Sequence, residues 1–199
     1  MNTTYKQFIV ALITLCTTAM IKTSVSLPAD IPAPTAKVTV TKKVPPVIKG
    51  NTWVFMQAIS RVESNHRIDI VNQNGCMGKY QFCQGTFQFL KNRNYIDSTI
   101  TREQFLADDS IQNVAMLALM RYNYKQLAPI IRTYRGTWYN GIYISTSGLL
   151  AAAHLVGVGG VNHYFHPDNA QYANFVIQDA NGTTIEHYLH KFSNYSINL

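Results

Sequence analysis

Four segments of the chain place apolar residues three or four positions apart, which is the spacing of an amphipathic helix. Each segment begins with a residue whose side chain can cap a helix: Asn51 or Thr52, Thr101, Ser147, and Thr183 or Thr184. The stretch from 137 to 146 instead predicts a β-hairpin that turns at Asn140 and Gly141. The sequence therefore predicts a mainly α domain with at most a short β-hairpin.

The second and third helices have ends that the sequence marks. Thr101 and Gln104 form a capping-box signature, and the apolar pattern after them continues to Tyr122. This predicts one long helix. Gly157, which opens the sequence GVGG, predicts the end of the third helix, because glycine often follows the last turn of a helix.

The first 49 residues differ in composition from the rest of the chain. Residues 1–26 are typical of a secretory signal peptide, with an apolar stretch from 8 to 21 that is too short to span a bilayer comfortably. An uncleaved anchor or a lipid attached at Cys16 are the alternatives. Residues 27–49 hold five of the seven prolines and predict an extended spacer. The folded domain is expected over residues 50–199, exported to the periplasm or the cell exterior.

Two cysteines, Cys76 and Cys83, remain once the signal peptide is removed. An even pair in an exported protein is expected to form a disulfide, and two packed thiols are the alternative. The net charge of +7 favours an anionic partner. Because the basic residues are scattered and the chain is predicted to be exported, we expect an envelope polymer or membrane surface and no nucleic acid.

One of the three glutamates, Glu63, follows the apolar residues of the first helix. It lies four residues after Ile59, at the edge of the apolar stripe and near the end of the helix. Partial desolvation and the negative end of the helix dipole both disfavour the ionised carboxylate there, as a general acid requires. An exposed glutamate close to Arg61 or Arg67 is the alternative.

The segment after Glu63 reads NQNGCMGKYQF, from Asn72 to Phe82. Its two glycines, Gly75 and Gly78, allow the backbone to approach a ligand closely, and its amides suit neutral groups such as sugar hydroxyls. A loop of this composition directly after a partly buried acid predicts a saccharide cleft.

These residues resemble the lysozyme-like soluble lytic transglycosylases. The first family motif has a glutamate-serine pair, a glycine-containing segment ending in glutamine, and a threonine. Its counterparts here are Glu63-Ser64, Gly75 to Gly78, Lys79-Tyr80-Gln81 and Thr86. Two further family segments and the closing segment resemble residues 111–120, 152–159 and 179–195, so that the similarity spans residues 53–195.

The resemblance implies a lysozyme-like fold and a peptidoglycan glycan strand as the partner. It implies Glu63 as the single catalytic acid and base. It also implies a set of residues that bind the substrate or position the glutamate, with Tyr188 approaching from the last helix: Ser64, Gly78, Tyr80, Gln81, His154 and Tyr188.

Two departures from the family pattern alter the predicted cleft. His154 and Leu155 replace a tyrosine and an asparagine, so that His154 is either a substitute sugar contact or an ordinary helix histidine. Lys79 and Tyr80 replace a leucine and a methionine, which predicts a more polar cleft.

The acidic residues bear on the reaction. Most glycosidases use two carboxylates, yet residues 71–96 contain none. Asp69 could reach the cleft, while Asp108 and Asp109 fit the first turn of the predicted long helix. A lytic transglycosylase needs only one carboxylate, so the sequence favours that reaction. A lysozyme-type hydrolase and a non-catalytic peptidoglycan-binding module are the alternatives.

Two pairs of histidines raise the question of a metal. His163 with His166, and His187 with His190, have a spacing that can place two ligands on one helix face. No cysteine or glutamate stands at a metal-motif spacing from them, and the first pair runs into Pro167. We therefore predict no metal and no cofactor, while the sequence makes no prediction of oligomeric state.

Overall fold

The computed structural model describes residues 43–199, so the predicted signal peptide and residues 27–42 of the predicted spacer lie outside the described part. Within that part, seven helices account for most of the regular structure, and none is long and apolar enough to cross a membrane. The helices are α1 Thr52–Ser64, α2 Gln84–Asn92, α3 Arg102–Ala107, α4 Asp109–Gln126, α5 Ala128–Tyr134, α6 Thr146–Phe165 and α7 Ile185–Lys191.

The predicted hairpin is present and small. Strand β1, Trp138–Tyr139, pairs antiparallel with β2, Ile142–Tyr143, across a turn in which Asn140 and Gly141 both have positive φ. Both residue types tolerate that conformation, which a tight turn requires. The prediction of a mainly α chain with a short hairpin is confirmed.

The predicted caps mark most helix starts, with one shift and one break. Asn51 caps α1 and Thr184 caps α7, whereas Ser145 rather than Ser147 caps α6. The single long helix predicted after Thr101 is wrong, because the chain leaves helical geometry at Asp108. The Asp108 carboxylate accepts hydrogen bonds from the first backbone N–H groups of α4, and so begins a new helix.

Gly157 interrupts α6 without ending it. Its φ of 73° and ψ of 169° are not helical, yet the chain resumes the helix and continues to Phe165. The first helical segment therefore ends at Gly157, as predicted. The second segment, which continues to Phe165, was not predicted. The kink divides α6 into an apolar segment buried in the core and a second segment that carries Asn162 and His163.

The core has two parts that meet at α7. One part surrounds α1, α2, α3 and α4 and includes Phe55, Phe82 and Tyr188, while the other surrounds α5, α6 and the hairpin and includes Leu189. Because adjacent residues of α7 enter different parts, α7 joins them. This places Tyr188 beside α1, where the chain carries Glu63.

Candidate active site

Glu63 is held from across the chain by Tyr188. The Tyr188 hydroxyl donates a hydrogen bond of 2.6 Å to Glu63 Oε1, although 125 positions separate the two residues. The Glu63 side chain lies in the last turn of α1 and is 17% exposed. Burial, followed by the negative charge and the hydrogen bond of Glu63, raises the pKa of Tyr188 well above its usual value. Tyr188 therefore stays a hydrogen-bond donor.

His154 lies close to the same carboxylate oxygen. Its Nε2 is 2.9 Å from the Tyr80 carbonyl oxygen and 3.9 Å from Glu63 Oε1. Because a carbonyl only accepts, Nε2 carries a hydrogen. The Nδ1 atom is buried and has no hydrogen-bond partner among the described residues. The His154 side chain thus lies beside the carboxylate and is only 7% exposed. Little of its surface is left to contact a sugar, so its position fits a contact to Glu63 better.

An open pocket of about 520 Å³ adjoins this group. Gln81, Thr86, His154 and Gly157 contribute to its lining. Glu63 is not among the described residues that line it, but His154, which does line it, lies 3.9 Å from the Glu63 carboxylate. Of the two carboxylate oxygens, Oε2 makes no hydrogen bond within residues 43–199 and belongs to a side chain that is partly exposed.

The loop after α1 is fastened by Ser64 and by Gln112 of α4. The buried Ser64 hydroxyl donates to the Lys79 carbonyl at 2.9 Å. The fully buried Gln112 accepts from the Lys79 N–H through its side-chain oxygen and donates to the carbonyls of Ile68 and Phe105. Ser64 therefore positions the loop and has no exposed hydroxyl to offer a sugar. Nothing in the sequence singled out Gln112.

Gly78 and Gln81 shape the loop where it turns toward the pocket. Gly78 has a φ of 74°, and a Cβ at this position would overlap the Gln112 amide. Gln81 also has positive φ, and its side-chain amide donates to the Gly78 carbonyl at 2.8 Å. Gly78 is thus required by packing. Gln81 lies in the pocket lining, and its role in substrate binding stays a prediction.

Tyr80 and Lys79 do not make the cleft more polar, and the prediction that Tyr80 binds substrate does not fit its position. The Tyr80 side chain is 0% exposed and donates to Asn113 at 2.8 Å. Lys79 is also buried, and its ammonium group is bonded to Asp109 of α4. Both side chains point into the interior, so Tyr80 serves the site only through its carbonyl, which accepts from His154.

Cys76 and Cys83 are joined by a disulfide. The bond links the buried middle of the loop to the residue that precedes α2. In the structure the loop is thus held by this bond, by Ser64, by Gln112 and by the contacts of Lys79 and Tyr80 with α4. Its backbone carries both Gln81 and the carbonyl that orients His154, so the attachments fix the site.

Comparison with protein-family models, with curated proteins and with solved structures finds no match for this chain. The resemblance to lytic transglycosylases therefore remains a prediction. Its support comes from the residues and their arrangement.

The remaining acids lie in different settings. Asp69 is 75% exposed, and its nearest cation is Arg67 at 3.9 Å, so the structure gives no contact between Asp69 and Glu63. Asp179, which sequence reasoning did not single out, is close enough for its charge to contribute to the raised pKa of Tyr188. Its Oδ1 accepts from the N–H groups of Asn181 and Thr183 in a turn before α7. Asp179 makes no hydrogen bond to Glu63 or Tyr188 within the described residues.

The histidine pairs do not converge. His163 donates through Nδ1 to the Phe175 carbonyl, while Nδ1 of His166 lies 3.2 Å from the Asn162 carbonyl. Over the described range, no three histidine, cysteine or acidic side chains come together as a metal site would require. The Nδ1 atoms of His163 and His166 therefore bond to backbone carbonyls rather than to a shared ligand.

Proposed function

We propose that the chain is an exported peptidoglycan-cleaving enzyme of lysozyme-like fold, acting as a lytic transglycosylase with Glu63 as its acid and base. The observation that carries the proposal is the setting of Glu63. This carboxylate is partly buried and accepts a hydrogen bond from Tyr188, and it lies 3.9 Å from His154, which lines an open pocket.

The proposed reaction uses the Glu63 carboxyl group twice, first as an acid and then as a base. Protonated Glu63 gives its proton to the oxygen of the bond between N-acetylmuramic acid and N-acetylglucosamine, and that carbon–oxygen bond breaks. The resulting carboxylate then takes the proton of the muramyl 6-hydroxyl, whose oxygen bonds to the anomeric carbon and closes an anhydro ring. Glu63 is regenerated in its protonated form, and no water is consumed.

The neighbours of Glu63 suit these two states. A hydrogen bond from Tyr188 stabilises the carboxylate that forms when the proton is given up, since donors to the charged form favour it. Nε2 of His154, which donates its hydrogen to the Tyr80 carbonyl, lies 3.9 Å from the same oxygen. Because Tyr188 and His154 both face Oε1, Oε2 is the atom placed for proton transfer.

Purified sacculi test the proposal. The unsubstituted chain is expected to solubilise them and to release muropeptides with anhydro-muramyl ends, which weigh one water less than hydrolysis products. Glu63→Gln keeps the shape of the side chain but cannot give or take the proton, so it is expected to bind sacculi without cleaving them. Equal cleavage by the two proteins would contradict the assignment of Glu63.

A hydrolase is the second candidate, with Asp179 as the acid to test, because its negative charge contributes to the raised pKa of Tyr188. In a hydrolase a second carboxylate would activate water or attack the sugar, and the products would carry reducing ends. Asp179→Asn keeps an oxygen for the turn and removes the charge, and Asp69→Asn is the exposed control. For a transglycosylase both variants are expected to stay active. Loss of cleavage in Asp179→Asn alone, with reducing-end products, would favour the hydrolase.

A binding module without catalysis is the third candidate. Leu155 lines the pocket at the position where the family has a sugar-binding asparagine, so a polar contact is missing there. Binding of sacculi by the unsubstituted chain, with no product of either mass, would favour this candidate over both enzymes.

A further inference from the structure

A second pocket, of about 670 Å³, adjoins the pocket at His154. The two share Val158, Gly159 and Phe175 in their linings. We call them the inner pocket, which contains Gln81 and His154, and the outer pocket, which contains Tyr134 and Tyr172. Because the same three residues line both, the surface continues from the candidate site into the outer pocket.

The outer pocket has the chemistry of a saccharide site. Four amide side chains and two tyrosines contribute to its lining, and among the described residues there none carries a charge except His166 when it is protonated. Amides both donate to and accept from hydroxyl and N-acetyl groups, and aromatic rings cover the apolar faces of sugars. The amides are Gln126, Asn162, Asn169 and Gln171.

The ring of Phe175 stands where the two pockets meet. It is 47% exposed although it is a large apolar side chain. Phe175 belongs to residues 167–183, which we call the strap, and its carbonyl accepts a hydrogen bond from His163. Exposed rings held at a fixed place on a groove are suited to stacking on a ligand.

Two glycines of α6 allow the strap to lie this close. A Cβ at Gly159 would overlap the Phe175 ring, and a Cβ at Gly160 would overlap the Val176 carbonyl. The sequence GVGG therefore does more than kink α6. It seats the strap against the helix and so fixes Phe175 between the pockets.

From these observations we infer that the outer pocket is a second saccharide-binding site, and that one glycan strand runs from the inner pocket across Phe175 into it. The inference rests on the proposed function, since that function supplies the glycan. A longer strand would then gain contacts that a short one cannot reach. The neutral, amide-rich lining assigns the site to the sugar backbone rather than to charged peptide or phosphate groups.

The test measures the affinity of full-length Glu63→Gln for β-1,4-linked N-acetylglucosamine oligomers by calorimetry. These neutral probes carry hydroxyl and N-acetyl groups without peptides. The hexamer is expected to bind more tightly than the trimer. Adding Tyr172→Ala is expected to weaken hexamer binding about tenfold, the effect of losing one aromatic contact, and to reduce the advantage of the hexamer over the trimer.

Two further variants change exposed residues, so that a loss of binding can be separated from a loss of folding. Gln171→Ala changes an exposed lining residue, and is expected to weaken hexamer binding about fivefold, as for one hydrogen bond. Val176→Ala is the control, because Val176 is exposed on the same strap and lines neither pocket. It is expected to leave both affinities unchanged.

Cleavage of sacculi by the unsubstituted chain is scored separately. If sacculi are cleaved and neither Tyr172→Ala nor Gln171→Ala weakens hexamer binding, the inference is wrong and the proposed function stands. An equal loss in Val176→Ala would also overturn it, since general apolar adhesion would then explain binding. If the chain cleaves nothing but binds the hexamer in a way that depends on Tyr172, the outer site is supported and the proposed reaction is contradicted. Absence of both cleavage and binding overturns both.

Discussion

The hydrogen bond from Tyr188 distinguishes the two oxygens of Glu63. Oε1 accepts that bond at 2.6 Å, and His154 faces the same atom at 3.9 Å. Since a hydrogen bond to an ionised group contributes about 1.5 to 3 kcal/mol, Tyr188 both holds the rotamer of Glu63 and stabilises its carboxylate. The other oxygen, Oε2, is then held in a fixed orientation and accepts no hydrogen bond from the described residues.

Removal of this hydroxyl is expected to slow the reaction. Tyr188→Phe keeps the buried ring and loses the donor, so turnover of sacculi should fall about tenfold to a hundredfold, the range of one charge-assisted hydrogen bond. The melting temperature should change little, because the ring contacts with Phe192 remain. Turnover equal to that of the parent chain would show that Tyr188 does not act on Glu63.

His154 is expected to act on Glu63 rather than on the sugar. His154→Gln keeps a donor for the Tyr80 carbonyl but removes the imidazole beside the carboxylate. We expect turnover to fall about tenfold, because the carboxylate loses a neighbour that packs against it. The KM for sacculi should stay close to that of the parent. A raised KM with unchanged turnover would instead assign His154 to substrate binding.

At the scale of elements, local sequence signals located most helix starts and the hairpin. Caps such as Asn51 and Thr184 act within one turn, so a sequence can reveal them. The break at Asp108 was missed because an apolar pattern continues through it. The inward direction of Lys79 and Tyr80 was missed because a loop has no fixed period, and its orientation is set by Gln112 on a distant helix.

The bond between Lys79 and Asp109 attaches this loop to α4. The Lys79 side chain is 5% exposed, whereas Asp109 is about half exposed. Asp109→Asn would leave a buried ammonium group without its counter-charge, so we expect a loss of about 2 kcal/mol in the free energy of unfolding. Lys79→Met keeps the apolar stem and leaves a carboxylate that water can reach, so its cost should be below about 1 kcal/mol. Urea unfolding of both variants measures the difference.

The pH dependence gives the same bond a second test. Burial opposes ionisation of Asp109, but hydrogen bonds from Lys79 and Asn113 outweigh it and hold the pKa of that carboxyl below its usual value. The stabilisation is therefore present above the usual pKa and is lost as pH falls through the lowered one. The stabilities of the parent and of Asp109→Asn should converge in acid. A constant gap between them down to low pH would contradict this role for the carboxylate.

At the scale of the whole molecule, the candidate site exists only where distant parts of the chain meet. Glu63 comes from α1, His154 from α6 and Tyr188 from α7, which joins the two parts of the core. The sequence could identify Glu63, Gln81 and Tyr188 as candidates through motif resemblance. It could not identify Asp179 or the outer pocket, because both depend on how the strap folds back onto α6.

The two ends of the described chain also meet, and this contact supports the site from a distance. The buried Thr52 hydroxyl donates to the Asn198 carbonyl at 2.7 Å and accepts from the Asn198 N–H at 3.0 Å, at the first turn of the helix that carries Glu63. Close by, Ile48 pairs with Tyr195 as a short parallel bridge. The segment after α7 is therefore fastened to the start of α1.

Thr52→Val replaces the hydroxyl by a methyl group and leaves both polar groups of Asn198 without their partner. We expect a loss of about 2 kcal/mol in the free energy of unfolding, which for a domain of this size lowers the melting temperature by about 4 to 8 °C. Thr52→Ser keeps the hydroxyl and serves as the matched control, with a smaller loss from its missing methyl group. Hydrogen exchange should show the faster opening in residues 195–199. Equal melting temperatures for the Val and Ser variants would mean that the closure of the chain ends rests on Ile48 and Tyr195 instead.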